Sequence, residues 1–191
     1  MHSVLIEQLR PLLSEKRLYH CLRVADEAVF LARHWQENEE SAYVAGLLHD
    51  AVKHLTPDTW DALGITQPRE SRELYHHFPS VWHALVGPDF VKGYFRIDTP
   101  SILNAIKWHT TGNSCMQVLD QILFLADYIE PGRTFEDIPF IRKLAYSNLD
   151  LATFTLSQTT ILSLIQRNLI IHPYSLDCRN YYLEKTRPHP L

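Results

Sequence analysis

Asp127 sits in the run Ile122-Leu123-Phe124-Leu125-Ala126-Asp127-Tyr128-Ile129, which is otherwise nearly all apolar. Positions 119, 123, 126, 127 and 130 share one helix face, so periodicity puts this carboxylate on a core stripe. An ionised carboxylate costs several kcal/mol to bury unless it is paired or metal-bound. A fold that buries Asp127 must therefore bring it a cation or a set of donors.

The same situation recurs along the chain. Positions 20, 24, 28, 31 and 35 share a face, which sets His20 on the stripe of Val24, Ala28, Leu31 and Trp35. Positions 42, 45, 46, 49 and 52 turn His49 inward, with Asp50 beside it, and positions 102, 105, 106 and 109 do the same for His109 at the end of its helix. One buried histidine is usually a satisfied core residue. Four or more helices that each aim a His or Asp inward point instead to a metal centre. Imidazole with carboxylate suits iron, manganese, zinc or nickel and disfavours calcium, which prefers all-oxygen sites. Of the eleven histidines, His2, His34, His172 and His189 stand in polar or terminal contexts and read as surface residues.

Those stripes imply an all-α fold. Glycine is scarce, at six residues, and no strand-like alternation persists. Helical spacing covers about 3–13, 16–35 and 39–53. Thr56-Pro57 then reads as an N-cap and first position of a short helix ending before Gly64. Residues 65–78 read as a connector with helical potential. Pro79 opens a helix that Gly87-Pro88 stops near 86, and Pro100 opens another through His109, broken by Gly112-Asn113. Met116 to about Tyr128 is helical, ended by Pro131-Gly132, and one or two helices follow over 138–168. Pro173, Pro188 and Pro190 suggest a loose tail. We expect one compact helical domain over 1–191, with its core at about 10–180. A chain of 191 residues buries roughly 70% of its unfolded surface without needing disulfides.

Composition removes several function classes. The net charge is −4 with no Lys/Arg-rich run, which argues against a nucleic-acid partner. Cys21, Cys115 and Cys178 are far apart and odd in number, so neither a disulfide framework nor a cysteine zinc site is expected. Free thiols, no apolar leader stretch and no run of 18 apolar residues make a cytoplasmic protein without a membrane partner the expectation.

Leu18-Tyr19-His20-Cys21, Gly46-Leu47-Leu48-His49-Asp50 and Ala126-Asp127 together resemble the H…HD…D signature of the HD-domain superfamily. Beyond it, Gly46-Leu47-Leu48-His49-Asp50-Ala51-Val52-Lys53, Ala105-Ile106-Lys107-Trp108-His109-Thr110-Thr111-Gly112 and Ala126-Asp127-Tyr128-Ile129-Glu130-Pro131-Gly132-Arg133 resemble the bacterial YqeK family. The resemblance covers roughly residues 10–180. It implies an HD-domain helical bundle that splits diadenosine tetraphosphate symmetrically into two ADP. It also implies one or two divalent ions, iron by family resemblance, with manganese, cobalt or nickel as alternatives.

In that implied site His20, His49, Asp50 and Asp127 hold one metal, Asp50 bridges, and His83 and His109 complete a second. His83 is preferred over His76 and His77 because the family carries a histidine four residues before a glycine, which Gly87 matches. A metal-bound hydroxide is the implied nucleophile. Asp50, Lys53 and Arg133 are the expected catalytic residues. Lys53 lies four residues after His49, placed to meet phosphate, and Arg133 can grip phosphate bidentately. Thr110, Thr111 and Gly112, after His109, are further expected substrate contacts, and Glu27 is a possible partner of His20. Competing functions are another HD phosphohydrolase or phosphodiesterase, a di-iron oxygenase and a non-catalytic nucleotide sensor. A homodimer is conceivable through Phe and Tyr side chains near 140–155.

Overall fold

The computed structural model describes residues 2–187. Among them the secondary structure is helical throughout: α1 (His2–Leu9), α2 (Glu15–His34), α3 (Glu39–Leu48), α4 (Pro57–Asp61), α5 (Ser71–His77), α6 (Pro79–Phe90), α7 (Pro100–Trp108), α8 (Val118–Ile129), α9 (Ile138–Ala145), α10 (Leu149–Gln166) and α11 (Pro173–Thr186). None of these helices is long and apolar enough to cross a membrane.

Local chemistry sets the starts. The Ser14 side chain accepts the Arg17 N–H at 3.3 Å to open α2, and Asn38 accepts the Ser41 N–H at 2.7 Å to open α3. Thr56 and Thr59 form a reciprocal capping box ahead of α4, with Pro57 in the first turn. Asp120 closes a similar box by accepting the Gln117 N–H at 2.9 Å, so α8 begins at Val118.

The centre of the bundle is α2 packed on α3 and α8, with α7 against α3 and α8. Gly46 makes the α2–α3 contact possible: a Cβ there would stand 2.6 Å from Ala25 Cα. The small side chains Ala25, Ala28, Ala42 and Ala45 are fully buried along the same crossing. This close approach brings the end of α3, with His49 and Asp50 just beyond it, against His20 on α2.

Two segments depart from expectation, while the helical potential of the connector 65–78 is realised. Gly87-Pro88 does not end α6, which runs to Phe90 and passes into a π-helical turn, Val91–Phe95. Gly87 serves packing, because a Cβ there would lie 3.1 Å from Ile106 Cγ2 on α7. Pro88, which has no N–H to offer, is accommodated with the Val91 N–H reaching both the Gly87 and Pro88 carbonyls.

The connector 65–78 contains α5. The tail from Pro173 is also helical rather than loose: α11 packs on α10 and buries Cys178 and Tyr182. Its signal was Pro173 in the first turn, after His172, whose Nδ1 accepts the Tyr174 N–H at 3.3 Å. His172 is consequently only 8% exposed and is no surface residue. His189, Pro188 and Pro190 lie outside the described residues. Of the aromatic side chains expected near 140–155, Phe140 is 58% exposed, whereas Tyr146 and Phe154 pack against the core.

Candidate metal centre

His20 projects from the buried face of α2, in line with Val24 and Ala28. Its Nδ1 lies 3.1 Å from Glu130 Oε1. Glu130, just after α8, also accepts the Arg23 Nε–H and the Gly132 N–H, each at 2.5 Å, on Oε2. Burial would push the Glu130 carboxyl up, but Arg23, the Gly132 N–H and His20 together hold it below its usual range. An ionised Glu130 keeps the His20 proton on Nδ1 and leaves Nε2 to face the other way.

His49 and His109 share one local device. Each follows the last residue of a helix, α3 and α7, and each donates Nδ1–H to the carbonyl three residues back. His49 uses Gly46 O and His109 uses Ile106 O, both at 2.7 Å. That bond fixes the tautomer and leaves Nε2 as a lone-pair donor. His83 enters from α6, buried like the other two.

The donors converge. Asp50 Oδ2 lies 3.4 Å from His49 Nε2 and 3.9 Å from His20 Nε2, while Oδ1 lies 3.2 Å from His83 Nε2 and 3.7 Å from His109 Nε2. Asp127 Oδ1 lies 2.9 Å from His20 Nε2 and 3.8 Å from His49 Nε2. Three triads have donor atoms within 4.8 Å of one another: His20/His49/Asp50, His49/His109/Asp127 and Asp50/His83/His109. All six residues singled out from the sequence are thus in one cluster, whereas His76 and His77 are exposed at the end of α5.

The electrostatics call for positive charge. Nε2 of His20 and Nε2 of His49 are buried and make no hydrogen bond, despite the carboxylate oxygens beside them. The His83 and His109 Nε2 atoms face each other at 3.2 Å. Nitrogen lone pairs and anionic oxygens crowded in this way repel unless a cation lies among them, so the donor set fits a divalent metal. Burial pushes His83 down to about 3 and lowers His109 as well, so both rings are neutral, the form that ligates. Burial opposes ionisation of Asp50, yet His49, His109 and His83 hold its carboxyl well below the ordinary range.

Two cationic side chains already meet Asp50. Arg17 Nη1 donates to Oδ2 at 2.9 Å, and Lys53 Nζ lies 3.9 Å from Oδ1 and 3.0 Å from His83 Nε2. Burial lowers the Lys53 pKa. Arg133 Nη2 donates to Asp127 Oδ1 at 2.9 Å, and its Nε donates to the Asp127 carbonyl at 3.2 Å. Thr110 Oγ1 lies 3.3 Å from His83 Nε2.

Thr111 and Gly112 are placed differently from expectation. The Thr111 hydroxyl is buried and donates to the Gly112 carbonyl at 2.8 Å, and the Gly112 N–H is taken by Trp108 O. Gly112, at φ 64°, packs against Cys178 Sγ on α11. Both residues therefore turn the chain from α7 under α11, with the Thr111 hydroxyl and the Gly112 N–H engaged inside that turn. Glu27 accepts the Tyr146 hydroxyl at 3.2 Å and is not the partner of His20.

Sequence reasoning missed Glu130, Arg17 and Arg23. Glu130 carried a readable signal, a second acid three residues after Asp127 on the same apolar stripe. Arg17 lies three residues before His20, one turn away.

A cavity of about 350 Å³ opens beside the cluster, lined by His109, Asp127, Tyr128, Arg133, Phe135 and Arg167 among others. The Tyr128 and Phe135 rings stack at 5.2 Å, and Arg133 lies 5.9 Å above the Phe135 ring.

Residues 17–132 match the family model described as HD domain. The chain is 35% identical over 177 residues to a Staphylococcus aureus protein named bis(5'-nucleosyl)-tetraphosphatase, symmetrical, covering 89% of this chain and 88% of that one. A Bacillus subtilis protein of the same name is 31% identical over 161 residues, covering 84% and 86%. In three dimensions the chain is similar to a crystal structure from Clostridium acetobutylicum described as a predicted HD superfamily hydrolase involved in NAD metabolism. That match has a TM-score of 0.84 at 33% identity and covers 97% of this chain and 98% of the other.

Proposed function

This chain belongs to the HD-domain family, and from that premise we propose that it hydrolyses diadenosine tetraphosphate symmetrically to two ADP at a divalent metal centre. The observation that carries this reading is the convergence of four histidine Nε2 atoms on the Asp50 and Asp127 carboxylates, beside a cavity with two arginines. The relatives that share the chain over most of its length bear the name of this activity.

We assign His20, His49, Asp50, His83, His109 and Asp127 as the residues that hold the metal. Asp50 lies between the two halves, with one carboxylate oxygen toward His20 and His49 and the other toward His83 and His109. Bound there, a divalent cation supplies a water of lowered pKa and takes up phosphoryl charge. Iron is the metal we propose, and manganese, cobalt and nickel suit the same mixed donor set.

The remaining groups are read as the chain's own contribution. Lys53 and Arg133, each beside a carboxylate of the cluster, place positive charge where the bridging phosphates arrive. Arg17 and Glu130 are positioning residues, the first at Asp50 and the second at His20. The Thr110 hydroxyl, at the rim of the cavity, is available to a phosphate or ribose oxygen.

Product analysis by anion-exchange chromatography tests the assignment, using iron- or manganese-loaded protein and diadenosine tetraphosphate. ADP as sole product is the expected result. ATP with AMP would move the cleaved bond, and no product from metal-loaded protein would overturn the activity.

A further inference from the structure

Thr110, Thr160 and Leu164 line two cavities at once. On one side is the cavity of about 350 Å³ that contains His109, Asp127 and two arginines. On the other is a cavity of about 340 Å³ walled by Phe78, Val81, Leu169, Ile170 and His172, among others. The wall they share adjoins the metal donors, since Thr110 follows His109 and its hydroxyl lies 3.3 Å from His83 Nε2.

We propose that this second cavity seats one nucleoside of a dinucleoside polyphosphate, while the first cavity takes the other half. The proposal rests on the tetraphosphatase reading and extends it. A substrate cleaved at its central bridge needs two seats that meet at the reacting atoms, and these cavities are alike in size and share a wall. Each falls within the range of about 300–1,000 Å³ usual for small-molecule sites.

The linings differ in chemistry. No Lys, Arg, Asp or Glu lines the second cavity. A phosphate there would lose its hydration without a cationic partner, whereas a base and ribose are uncharged. The Phe78 and His172 rings meet edge to face at 4.5 Å and offer aromatic surface to a base. His172 is held neutral by burial, and its Nδ1 accepts the Tyr174 N–H, so its Nε2 carries a hydrogen that a purine ring nitrogen can accept. The recess beyond His20 has the opposite character. Lys16, Arg17, Arg23 and Arg133 line it, which suits phosphate oxygens rather than a base. The first cavity, with Arg133 and Arg167, and the second, lined by no charged side chain, are thus two unlike seats for a symmetrical molecule.

The test compares diadenosine tetraphosphate with adenosine 5'-tetraphosphate, which lacks the second nucleoside, in wild type and in Ile170→Trp and Ser80→Trp. Both residues line the second cavity, and both are exposed, Ile170 by 71%, so an indole there narrows the cavity without disturbing the core. Wild type is expected to prefer the dinucleotide. Each variant should lower its kcat/KM by about tenfold, and shift that for adenosine tetraphosphate by less than about twofold. Wild type that uses both substrates equally well, or variants that leave the preference intact, would overturn the subsite while ADP formation keeps the activity standing. Absence of ADP from wild type would overturn both.

Discussion

Glu130 Oε1 lies 3.1 Å from His20 Nδ1, so the imidazole that turns Nε2 toward Asp127 is held from behind by a carboxylate. Carboxylate support of this kind fixes the tautomer and raises the basicity of the other ring nitrogen. Glu130→Gln should therefore weaken metal binding by about 10–100-fold with the fold retained. Metal titration followed by calorimetry checks this, and unchanged affinity would remove Glu130 from the site.

Asp50 and Lys53 stand within one turn of each other but should fail differently. Asp50→Ala removes the carboxylate that faces both halves of the donor cluster, so turnover should vanish and metal content should fall. Lys53→Ala removes a cation that ligates nothing, so metal content should hold while kcat/KM drops by about 10²-fold. Elemental analysis beside the product assay separates the two, and near-normal turnover in Asp50→Ala would sink the proposed centre.

Gly46→Ala places a methyl group where only 2.6 Å separates it from Ala25 Cα. Backbone cannot yield as a flexible side chain does, so α2 and α3 must part. We expect a loss of about 1–3 kcal/mol, or roughly 2–4 °C in Tm for each kcal/mol. Because His49 and Asp50 follow at once, metal affinity should fall too. Thermal denaturation and metal content measured on one preparation check both effects.

Burial pushes the Asp120 carboxyl up to about 6, with Glu37 adding to the shift and the Gln117 N–H opposing it. The folded state thus holds this proton to higher pH than an unfolded chain, where the pKa is about 3.9. Below about pH 4 both states are protonated and there is no penalty. As the pH rises toward about 6, the folded state alone resists ionisation, and stability falls. Asp120→Asn keeps an acceptor for Gln117 without the charge. Its stability relative to wild type should therefore improve by about 1–3 kcal/mol between pH 4 and 7. Melting curves across that range would show a constant difference if Asp120 were not the cause.

The helical stripes, and the acids and histidines on them, were legible because burying a titratable group breaks an otherwise apolar 3.6-residue period. His20, His49, Asp50, His109 and Asp127 announced themselves in this way, and all lie in one cluster. Arg17 and Arg23 did not, since a cation on the polar flank of a helix looks solvated until its distant partner is known. Arg23 meets Glu130 across 107 positions of sequence. Gly87-Pro88 misled for a related reason. The need of α7 for a close neighbour at Ile106 is a tertiary demand, and it outweighs the local tendency to stop. At Gly112 the lack of a side chain likewise serves a distant neighbour, Cys178 on α11, which the local sequence does not reveal.

Arg17 and Lys53 flank the Asp50 carboxylate from opposite sides, at 2.9 Å and 3.9 Å. A polypeptide leaving the ribosome therefore carries its own counter-charge for a carboxylate that is only 2% exposed. Zinc fingers, by contrast, stay unfolded until the ion arrives. We expect the helices here to assemble before an ion is bound, so metal-stripped protein should keep the helical circular dichroism of the loaded form, and its loss on chelation would show the opposite.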